Sequence, residues 1–459
     1  MMDFKFDNQR NDIIAKLIET RTEQGITQQE LADRIGTKKS AISRIENGQQ
    51  NLSLDMLIKI CDALGKKIEF DLADAQSDNM YELRIFDVPL IKLSLENRGL
   101  DGLVCDIKWV NQDKMDLMPL DMEITGKGVV KWLESRVIPK NRQYVDEILK
   151  TLGLSHNDTK GIIDVCKGLS LNDSYWIVPE DFKGKFADYN LYENPFSDIL
   201  SLVAYTGQWQ SAGVFTTSPE LTTNGMLPKA WRSKKNGIYL YKGGTSGAAN
   251  AGNEPYSEFY ACQIAKKMGI NCVRYDLEKW KGILASTCKI FTDINTSYIP
   301  IGRIVREGGL NACIDYYRDE LGENAVEQLK SMLVFDSVIY NEDRHFGNFG
   351  VLRDNATGKL IEPAPIFDNG ISLFNYAMPE DFSNLEEYSK TRMSAYNIDF
   401  DEIFLSVAGK KQVAQLRKLI GFTFKRHKSY NLPEERLVAI EEFIQKRVRH
   451  LLAIYKANK

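Results

Sequence analysis

The segment YNEDRHFGNFG constrains this chain more than any other, because it places a carboxylate, an imidazole and a carboxamide within six positions: Asp343, His345 and Asn348. It directly follows ENAVEQLKSMLVFDSVIY, whose apolar residues recur at helical spacing and predict a long amphipathic helix. A further carboxylate, Asp368 in PIFDNG, follows 20 residues after Asn348. The stretch between them predicts a β-hairpin with DNATGK as its turn. We therefore expect the two polar segments to converge.

Carboxylates and an amide from two separate segments are the groups that phosphoryl transfer needs. One carboxylate orients or deprotonates the acceptor hydroxyl, and a second carboxylate and an amide hold magnesium. In the common protein kinases the loop reads His-x-Asp, an asparagine follows, and the metal aspartate lies in Asp-Phe-Gly. Here Asp343 precedes His345, so the order within the loop is reversed. The alternative is a polar turn that happens to contain a histidine.

Two residues further upstream supply the remaining parts of such a site. A lysine that holds nucleotide phosphates is positioned by a glutamate. The strand predicted for IYLYKGG ends in Lys242, and the helix predicted for EPYSEFYACQIAKKMGI has Ser257 as its N-cap and opens with Glu258. We expect Lys242 to contact phosphates and Glu258 to be its partner. Alternatively, Lys242 is a solvated strand-end lysine and Glu258 complements the helix dipole from the first turn.

The first hundred residues contain two short predicted helices joined by a tight turn. In GITQQELADRIGTKKSAISRIENG, Thr27 and Glu30 form a capping box, and a turn at Gly36 separates the helices. This spacing predicts a helix-turn-helix, whose second helix presents its outer side to the DNA major groove. The alternative is a helical bundle with a solvated polar face. The residues expected to contact DNA are Gln28, Lys38, Lys39, Ser40, Ser43, Arg44 and Asn47.

Length and charge limit the classes of protein that this chain can belong to. Its 459 residues are too many for one compact core and suggest about two to four domains. The net charge is -4, so any contact with nucleic acid has to come from a local patch. The seven cysteines lack zinc-site spacing, which predicts free thiols in a reducing compartment. The polar N-terminus and the lack of a long apolar run predict a cytoplasmic protein without a membrane partner.

The N-terminal part resembles a known family of DNA-binding domains. Residues 8–72 resemble the Cro/repressor (Xre-like) helix-turn-helix family in TQQELA, SAISRIENG and LDMLIKICDALG. The trailing KKIEFDL resembles the extra strand of HipB-type antitoxins, which pairs across a dimer. The resemblance implies binding to operator DNA as a homodimer, because such operators are usually two-fold symmetric.

The larger part of the chain, from about residue 200 onward, resembles the HipA-like serine/threonine kinases. The pieces that carry this resemblance are NEDRHFGNFG, PAPIFDNGISL and EFYACQIAKKMGINC. It implies that Asp343 is the catalytic base, that Asn348 and Asp368 bind Mg²⁺, and that Lys242 contacts the phosphates of ATP. His345 resembles a member of the family's catalytic loop with a structural role rather than a proton carrier. Phosphoinositide kinases share the reversed loop order, but they are much larger and lack a repressor module.

The loop that covers the phosphates departs from the family pattern. Its counterpart here is VFTTSPELTTNG, which contains no G-x-G-x-x-G. The family's loop carries a serine that some members phosphorylate on themselves, so Thr216, Thr217 and Ser218 are candidates for autophosphorylation. A second glycine-rich stretch, GGTSGAANAGN at 243–253, is expected to be a flexible connection to the next helix. Phosphate contact by this stretch is the alternative.

We therefore predict a multidomain chain, with an all-α helix-turn-helix domain followed by an α+β bilobal protein-kinase-like fold of the HipA type. The predicted domains are 1–75 for DNA binding, 76–195 for an extension of the kinase, and 196–459 for the kinase, whose N-lobe ends near 300 and whose helical C-lobe starts near 301.

The resemblance implies an ATP- and Mg²⁺-dependent serine/threonine protein kinase fused to its own antitoxin-like, operator-binding module. Such an enzyme would phosphorylate a cellular protein, typically a component of translation, and would autoregulate its own transcription. The alternative function is a transcriptional repressor whose kinase-like half is a nucleotide-sensing or scaffolding pseudokinase.

Overall fold

The chain forms two compact units, Met1–Ser77 and Asp78–Lys459, in a computed structural model. The strand expected within KKIEFDL, at residues 68–72, lies outside the described residues. None of the described helices is both long enough and apolar enough to span a bilayer. Side chains are described from residue 13 onward, and the described residues are 2–48, 50, 52–67, 79–97, 102–155, 157–208 and 217–458.

The N-terminal unit is helical and contains the predicted capping box. Thr27 Oγ1 accepts a hydrogen bond from Glu30 N at 3.2 Å, and Thr27 N donates to Glu30 Oε2 at 2.7 Å, which confirms it. Arg21 donates to both carboxylate oxygens of Glu46 at 2.7 and 3.0 Å, and this ion pair joins the first and third helices. The helices are α1 (Met2–Glu23), α2 (Gln28–Arg34), α3 (Lys39–Glu46) and α4 (Leu54–Ala63).

The second unit begins with a four-stranded antiparallel sheet in the order β3-β2-β1-β4. Apolar residues alternate along its central strands, and those that face the covering helices, such as Leu83 and Leu93, are fully buried. All four helices of this region contribute to the same core. The strands are β1 (Met80–Ile85), β2 (Val88–Asn97), β3 (Leu103–Val110) and β4 (Tyr175–Pro179), and the helices are α5 (Gly126–Glu134), α6 (Val145–Thr151), α7 (Thr159–Cys166) and α8 (Asp198–Thr206).

A second antiparallel sheet, in the order β5-β6-β8-β7, positions Lys242 and a second lysine, Lys229. Its first two strands form the hairpin that the Asn-Gly pair predicts, with Lys234 opposite Gly237. At the open end of that hairpin, Lys229 lies opposite Lys242. The elements are β5 (Lys229–Lys234), β6 (Gly237–Lys242), α9 (Glu254–Met268), β7 (Tyr275–Trp280) and β8 (Ile283–Lys289).

The remaining part combines a small sheet, in the order β11-β10-β9, with a bundle of helices. The predicted hairpin after the polar loop is present, because β10 and β11 pair antiparallel with Leu352 opposite Glu362. The strands are β9 (Thr296–Pro300), β10 (Gly350–Asp354) and β11 (Leu360–Pro363), and the helices are α10 (Ile301–Ile304), α11 (Gly309–Leu321), α12 (Glu323–Ile339), α13 (Leu385–Ser389), α14 (Phe400–Val407), α15 (Lys410–Arg417) and α16 (Glu434–Ala457).

The helix before the polar loop, α12, differs from its predicted amphipathic character. Every residue from 331 to 339 is buried, including Asp336 and Ser337. The reason is its central position, since α11, α14, α15 and α16 all contact α12. A helix enclosed on all sides has no solvated face, so a one-sided apolar stripe describes only its first two turns. The helix therefore delivers the loop that follows it from the middle of the core.

Candidate active site and candidate DNA-binding helix

The loop after α12 starts with a sharp change in backbone direction. Tyr340 has a left-handed backbone (φ 53°) and ends the helix. In the loop, Asn348 Nδ2 donates to the backbone oxygen of Asp343 at 2.9 Å and approaches its Oδ2 at 3.4 Å. The predicted carboxylate and carboxamide are thus joined within one loop. His345 is exposed, and its Nδ1 accepts a hydrogen bond from Gly347 N at 3.0 Å, which forms a local turn.

Arg344, which is not among the predicted site residues, links this loop to the segment that contains Asp368. Arg344 is 1% exposed. It donates to the backbone oxygens of Asn348 and Phe367 at 3.1 and 2.5 Å and to Asn369 Oδ1 at 2.5 Å. The loop of Asp343 and the segment of Asp368 are therefore fastened to one guanidinium group. The sequence shows only that an arginine stands in a polar loop; its burial and its pairing depend on the tertiary structure.

Asp368, which is half-buried, contacts a charge cluster whose other members, Lys242 and Glu258, are buried. Lys242 Nζ donates to Glu258 Oε1 at 3.1 Å and also contacts Asp368 Oδ1. Burial opposes the charged form of Asp368, but the Lys242 ammonium lowers the pKa of this carboxyl to about 2. The charged form of Lys242 is favoured in the same way. Burial opposes its charge, but Asp368 and Glu258 raise the pKa of its amine above the usual value. The predicted lysine–glutamate pair is present, and Asp368 completes it as a third member.

The helix that carries Glu258 begins one turn earlier than predicted. α9 starts at Glu254 with Asn253 as its N-cap, so Ser257 is not the cap, and its hydroxyl donates to Ser372 O at 2.9 Å. A proline is compatible with the first helical turn because its missing N–H has no acceptor there. Glu258 consequently lies in the second turn and does not open the helix, and its side chain is fully buried.

The Asp368–Gly370 turn is shaped by its contacts with this cluster. Asp368 has a left-handed backbone (φ 54°), and its N–H donates to the Tyr275 hydroxyl at 3.2 Å. Asn369 N donates to Glu258 Oε2 at 2.9 Å, so both oxygens of this glutamate are used. A Cβ on Gly370 would lie 3.3 Å from Glu254 Cβ and 3.7 Å from Lys242 Nζ. Glycine at this position leaves room beside the lysine.

Asp343 and Asp368 interact electrostatically. Burial raises the pKa of the Asp343 carboxyl, and the neighbouring Asp368 carboxylate raises it further. The negative charges of Asp343 and Asp368 destabilise each other, and Asn348 adds a carboxamide in the loop of Asp343. A divalent cation would stabilise this set of ligands. Mg²⁺ typically uses one or two protein carboxylates and keeps several waters, so Asn348, Asp368 and Asp343 fit this ion. Among the described residues, no group of three or more histidine, cysteine, aspartate and glutamate side chains is placed to hold a metal ion, so the amide of Asn348 is needed to complete the set.

Lys229 is a further basic residue at the site that the sequence analysis missed. It is 6% exposed, and its Nζ donates to Asn224 O at 2.8 Å. Burial, together with the nearby Lys242, lowers the pKa of its amine to about 7. Its position directly opposite Lys242 follows from the register of the Asn-Gly hairpin, and this was the signal in the sequence.

The loop before β5 is held by a buried ion pair. Arg142 donates to Glu220 Oε2 and to Lys229 O, both at 2.8 Å, and Glu220 Oε1 accepts from Trp231 N at 2.7 Å. Of the residues considered for autophosphorylation, Ser218 is fully buried and Thr217 is half-buried. Thr216 lies outside the described residues. In this conformation neither described hydroxyl is fully exposed to solvent.

The glycine-rich stretch 243–253 is anchored at both ends and is not the flexible connection that its composition predicts. Thr245 N and Oγ1 donate to the buried Glu254 carboxylate at 3.1 and 2.7 Å. Asn250 Nδ2 donates to Tyr376 O at 2.6 Å, and Asn253 Nδ2 donates to Asn375 O at 2.9 Å. The Thr245 bonds fasten the stretch to the start of α9, and the two asparagine bonds fasten it to the segment that follows the Asp368–Gly370 turn.

In the N-terminal unit, α3 exposes most of the residues predicted to contact DNA. Ser43 is half-buried and accepts a long hydrogen bond from Asn47 Nδ2 at 3.4 Å. Gln28 is half-buried, and its Nε2 already donates to Glu46 Oε2 at 2.7 Å. A short helix with basic and polar side chains on its outer face is suited to major-groove contacts. The exposed members of the set are Lys38, Lys39, Ser40, Arg44 and Asn47.

Comparisons with known sequences agree with both halves of this description. Residues 17–70 match the HTH_3 helix-turn-helix family. The serine/threonine-protein kinase CtkA of Helicobacter pylori is 30% identical over 139 residues, which are 27% of this chain and 42% of that protein. An uncharacterized HTH-type transcriptional regulator of Haemophilus influenzae is 41% identical over 61 residues, which are 13% of this chain and 62% of the relative. The chain thus spans less than two thirds of the length of either curated relative.

A comparison with solved structures gives the fold of the larger unit. A chain in the Shewanella oneidensis MR-1 toxin–antitoxin complex of HipA, HipB and operator DNA aligns with a TM-score of 0.50 and 12% identity. The alignment covers 82% of this chain and 98% of that chain. The antiparallel sheets and the helical bundle that follow the N-terminal helices match the predicted fold class. The protein therefore combines an N-terminal helix-turn-helix domain with an α+β domain of the HipA-like kinase fold.

Proposed function

We propose that this protein is an ATP- and Mg²⁺-dependent serine/threonine protein kinase of the HipA type, fused to its own operator-binding module. The single observation that carries the proposal is the contact of Lys242 with both Glu258 and Asp368. Beside this cluster, Asp343 and Asn348 are joined within the loop after α12. These are the groups that phosphoryl transfer requires.

Each side chain of the cluster has a role in this mechanism. Lys242 and Asp368 contact each other, and each would exchange this contact for a partner of opposite charge: Lys242 would bind the phosphates, and Asp368 would hold the metal. Glu258 would keep Lys242 in place, since it accepts hydrogen bonds from both Lys242 Nζ and Asn369 N. Asn348 would supply the second metal ligand. A bound Mg²⁺ ion would neutralise charge on the phosphate oxygens.

Asp343 is proposed as the base that orients or deprotonates the acceptor hydroxyl. Its raised pKa suits this role, because a carboxylate in a buried site beside Asp368 is a stronger base than one in water. Lys229 is proposed as a second phosphate contact. A buried amine with a pKa of about 7 takes up a proton readily when an anion approaches it.

For the N-terminal unit we propose binding to a two-fold operator as a homodimer, with α3 in the major groove. This arrangement would allow the protein to regulate its own transcription. The phosphorylated partner is proposed to be a cellular protein, with components of translation as the first candidates. The domains are proposed to be 1–75, 76–195 and 196–459.

Autophosphorylation with radiolabelled ATP tests the assignment of the base. Wild type, Asp343→Asn and the control Asp319→Asn, which changes an exposed carboxylate on α11, would be compared at equal concentration. We expect label in the wild type and the control and a loss of about 100-fold or more in Asp343→Asn, with ATP binding retained. Equal labelling of all three would disprove the role of Asp343. Binding of ATP without labelling of any of them would favour a nucleotide-sensing repressor.

A further inference from the structure

Arg142 brings a buried positive charge from the segment between α5 and α6 to the loop before β5, residues 218–228. Its side chain is 0% exposed. Its Nη1 donates to the backbone oxygens of Glu220 and Thr223 at 3.0 and 3.1 Å. Its Nη2 donates to Glu220 Oε2 and to Lys229 O, both at 2.8 Å. One side chain is therefore bonded to the loop and to the first residue of β5.

Glu220 connects the same loop to β5. Its side chain is also 0% exposed, and its Oε1 accepts a hydrogen bond from Trp231 N at 2.7 Å. Near the other end of the loop, Met226 O accepts a hydrogen bond from Gln143 N at 2.8 Å. Two adjacent residues, Arg142 and Gln143, thus hold the loop near its start and near its end.

The position of the Lys229 amine depends on this loop. Its Nζ donates to Asn224 O at 2.8 Å, and Asn224 directly follows Thr223, to which Arg142 is bonded. Gly225 leaves space for the amine, because a Cβ at this position would collide with Lys229 Nζ. The backbone of Lys229 is bonded to Arg142, and its amine is bonded to the loop that Arg142 holds. The arginine therefore determines where this amine lies.

The directions of these bonds indicate more than a contribution to stability. Moving a pair of charges into the protein interior costs free energy, and apolar residues of similar volume often stabilise a fold as well. The guanidinium group differs from them, because its planar fork of donors fixes the directions in which its acceptors lie. Both terminal nitrogens of Arg142 donate to the loop or to β5, so the ion pair selects one conformation of the loop.

We infer that Arg142 is a positioning residue for nucleotide binding, which holds the loop before β5 so that the Lys229 amine contacts the phosphates. This role rests on the proposed function, which supplies the phosphate contact of Lys229. It also assigns a role to the region from β1 to α8, because this region contributes the arginine and is thereby part of the nucleotide site. Arg142 acts only through the loop and through Lys229.

Calorimetric titration of the full chain with ATP in the presence of Mg²⁺ tests the inference in a double-mutant cycle. The wild type is compared with Arg142→Met, with Lys229→Met and with the variant that carries both changes. We expect each single change to weaken ATP binding about tenfold, the effect of losing one hydrogen bond to a charged group. The double variant should bind no more weakly than Lys229→Met, because the arginine acts through the lysine.

Arg136→Met is the matched control. Arg136 is another buried arginine of the same region, and it donates to the Asp173 carboxylate and to Gly168 O, which lie outside the loop. Its replacement should destabilise the chain and leave ATP affinity unchanged. Circular dichroism verifies that each variant is folded. If Arg142→Met is not folded, Arg142→Met combined with Glu220→Leu replaces it, because this pair of changes leaves neither charge buried alone.

The outcomes separate this inference from the proposed function. A wild type that does not bind ATP contradicts the proposed function, and the role of Arg142 falls with it. If the wild type binds ATP and Arg142→Met binds it equally well, only the role of Arg142 is wrong. Additive effects of the Arg142 and Lys229 changes, or an equal loss in Arg136→Met, would also overturn it, since both results describe an ion pair that serves stability alone.

Discussion

Arg344 and Asp336 form a buried ion pair with two hydrogen bonds, at 3.0 and 3.1 Å, between the loop and the end of α12. The same guanidinium group donates to backbone oxygens of the two segments that carry Asp343 and Asp368. The end of α12, the loop that follows it and the more distant segment of Asp368 are thereby joined by one side chain. The relative position of the two candidate carboxylates depends on this pair.

Replacement of Arg344 with methionine is expected to lower the free energy of unfolding by about 3–5 kcal/mol. The change leaves Asp336 buried without its counter-charge, which is the costly way to break such a pair. Urea denaturation followed by circular dichroism measures the effect. Arg318→Met, which removes the exposed pairs with Asp315 and Glu323, is the control and should change stability little. A similar loss in both variants would show that the buried pair of Arg344 contributes no more to stability than the exposed pairs of Arg318.

Replacement of Lys242 with methionine is expected to reduce autophosphorylation by about 100-fold or more, since it removes a preorganised positive charge from the phosphate site. Glu258→Gln should cause a smaller loss, because the amide oxygen can accept only part of the two hydrogen bonds that the carboxylate accepts. Rates with labelled ATP and ATP affinity by calorimetry are the measurements. Lys289→Met, on the neighbouring strand β8, is an exposed control that should keep full activity.

Lys229 is expected to make the stability of the larger unit depend on pH between about 7 and 10.5. Its pKa is lowered to about 7 in the folded chain by burial, from an ordinary value of 10.5. Between these values the unfolded chain binds more protons than the folded chain, so the contribution of Lys229 to the free energy of unfolding increases as the pH rises.

The comparison of wild type with Lys229→Met isolates this effect. The difference in their free energies of unfolding should change in favour of the wild type as the pH rises, by at most about 1.4 kcal/mol per pH unit. Urea denaturation at several pH values measures it, and Lys235→Met in the hairpin turn is the exposed control. A constant difference between pH 7 and 10 would show that Lys229 is protonated in both states.

Replacement of Arg44 with alanine is expected to weaken operator binding by about 1–3 kcal/mol if the guanidinium contacts a base edge. Lys38→Ala should weaken binding to all sequences and reduce the salt dependence, as loss of a phosphate contact does. Gel shifts with the operator at several salt concentrations distinguish the loss of a base contact from the loss of a phosphate contact. Lys59→Ala on α4 is the exposed control, and ATP affinity should not change in any variant. Unchanged gel shifts for Arg44→Ala would exclude α3 as the recognition helix.

Local patterns were sufficient to predict several elements of the fold. The capping box at Thr27 and Glu30 and the hairpin at Asn236-Gly237 both form as expected, because each depends on residues close in the sequence. The start of α9 lies one turn earlier than predicted, because residues close in the sequence do not determine it alone. A proline near a helix start is compatible with more than one first residue, and the contact of Glu258 with Lys242 depends on packing.

Residue types and their spacing were enough to identify the chemical groups of the candidate site: a lysine, a glutamate, two aspartates and an asparagine, in an order that indicates phosphoryl transfer. The contact of Lys242 with both acids, the position of Lys229 beside it with a lowered pKa, and the link that Arg344 makes between the two segments became apparent only in the folded chain. The cause is that residue type and spacing determine local backbone structure. Burial and the approach of charges distant in sequence exist only once the sheets and helices have packed.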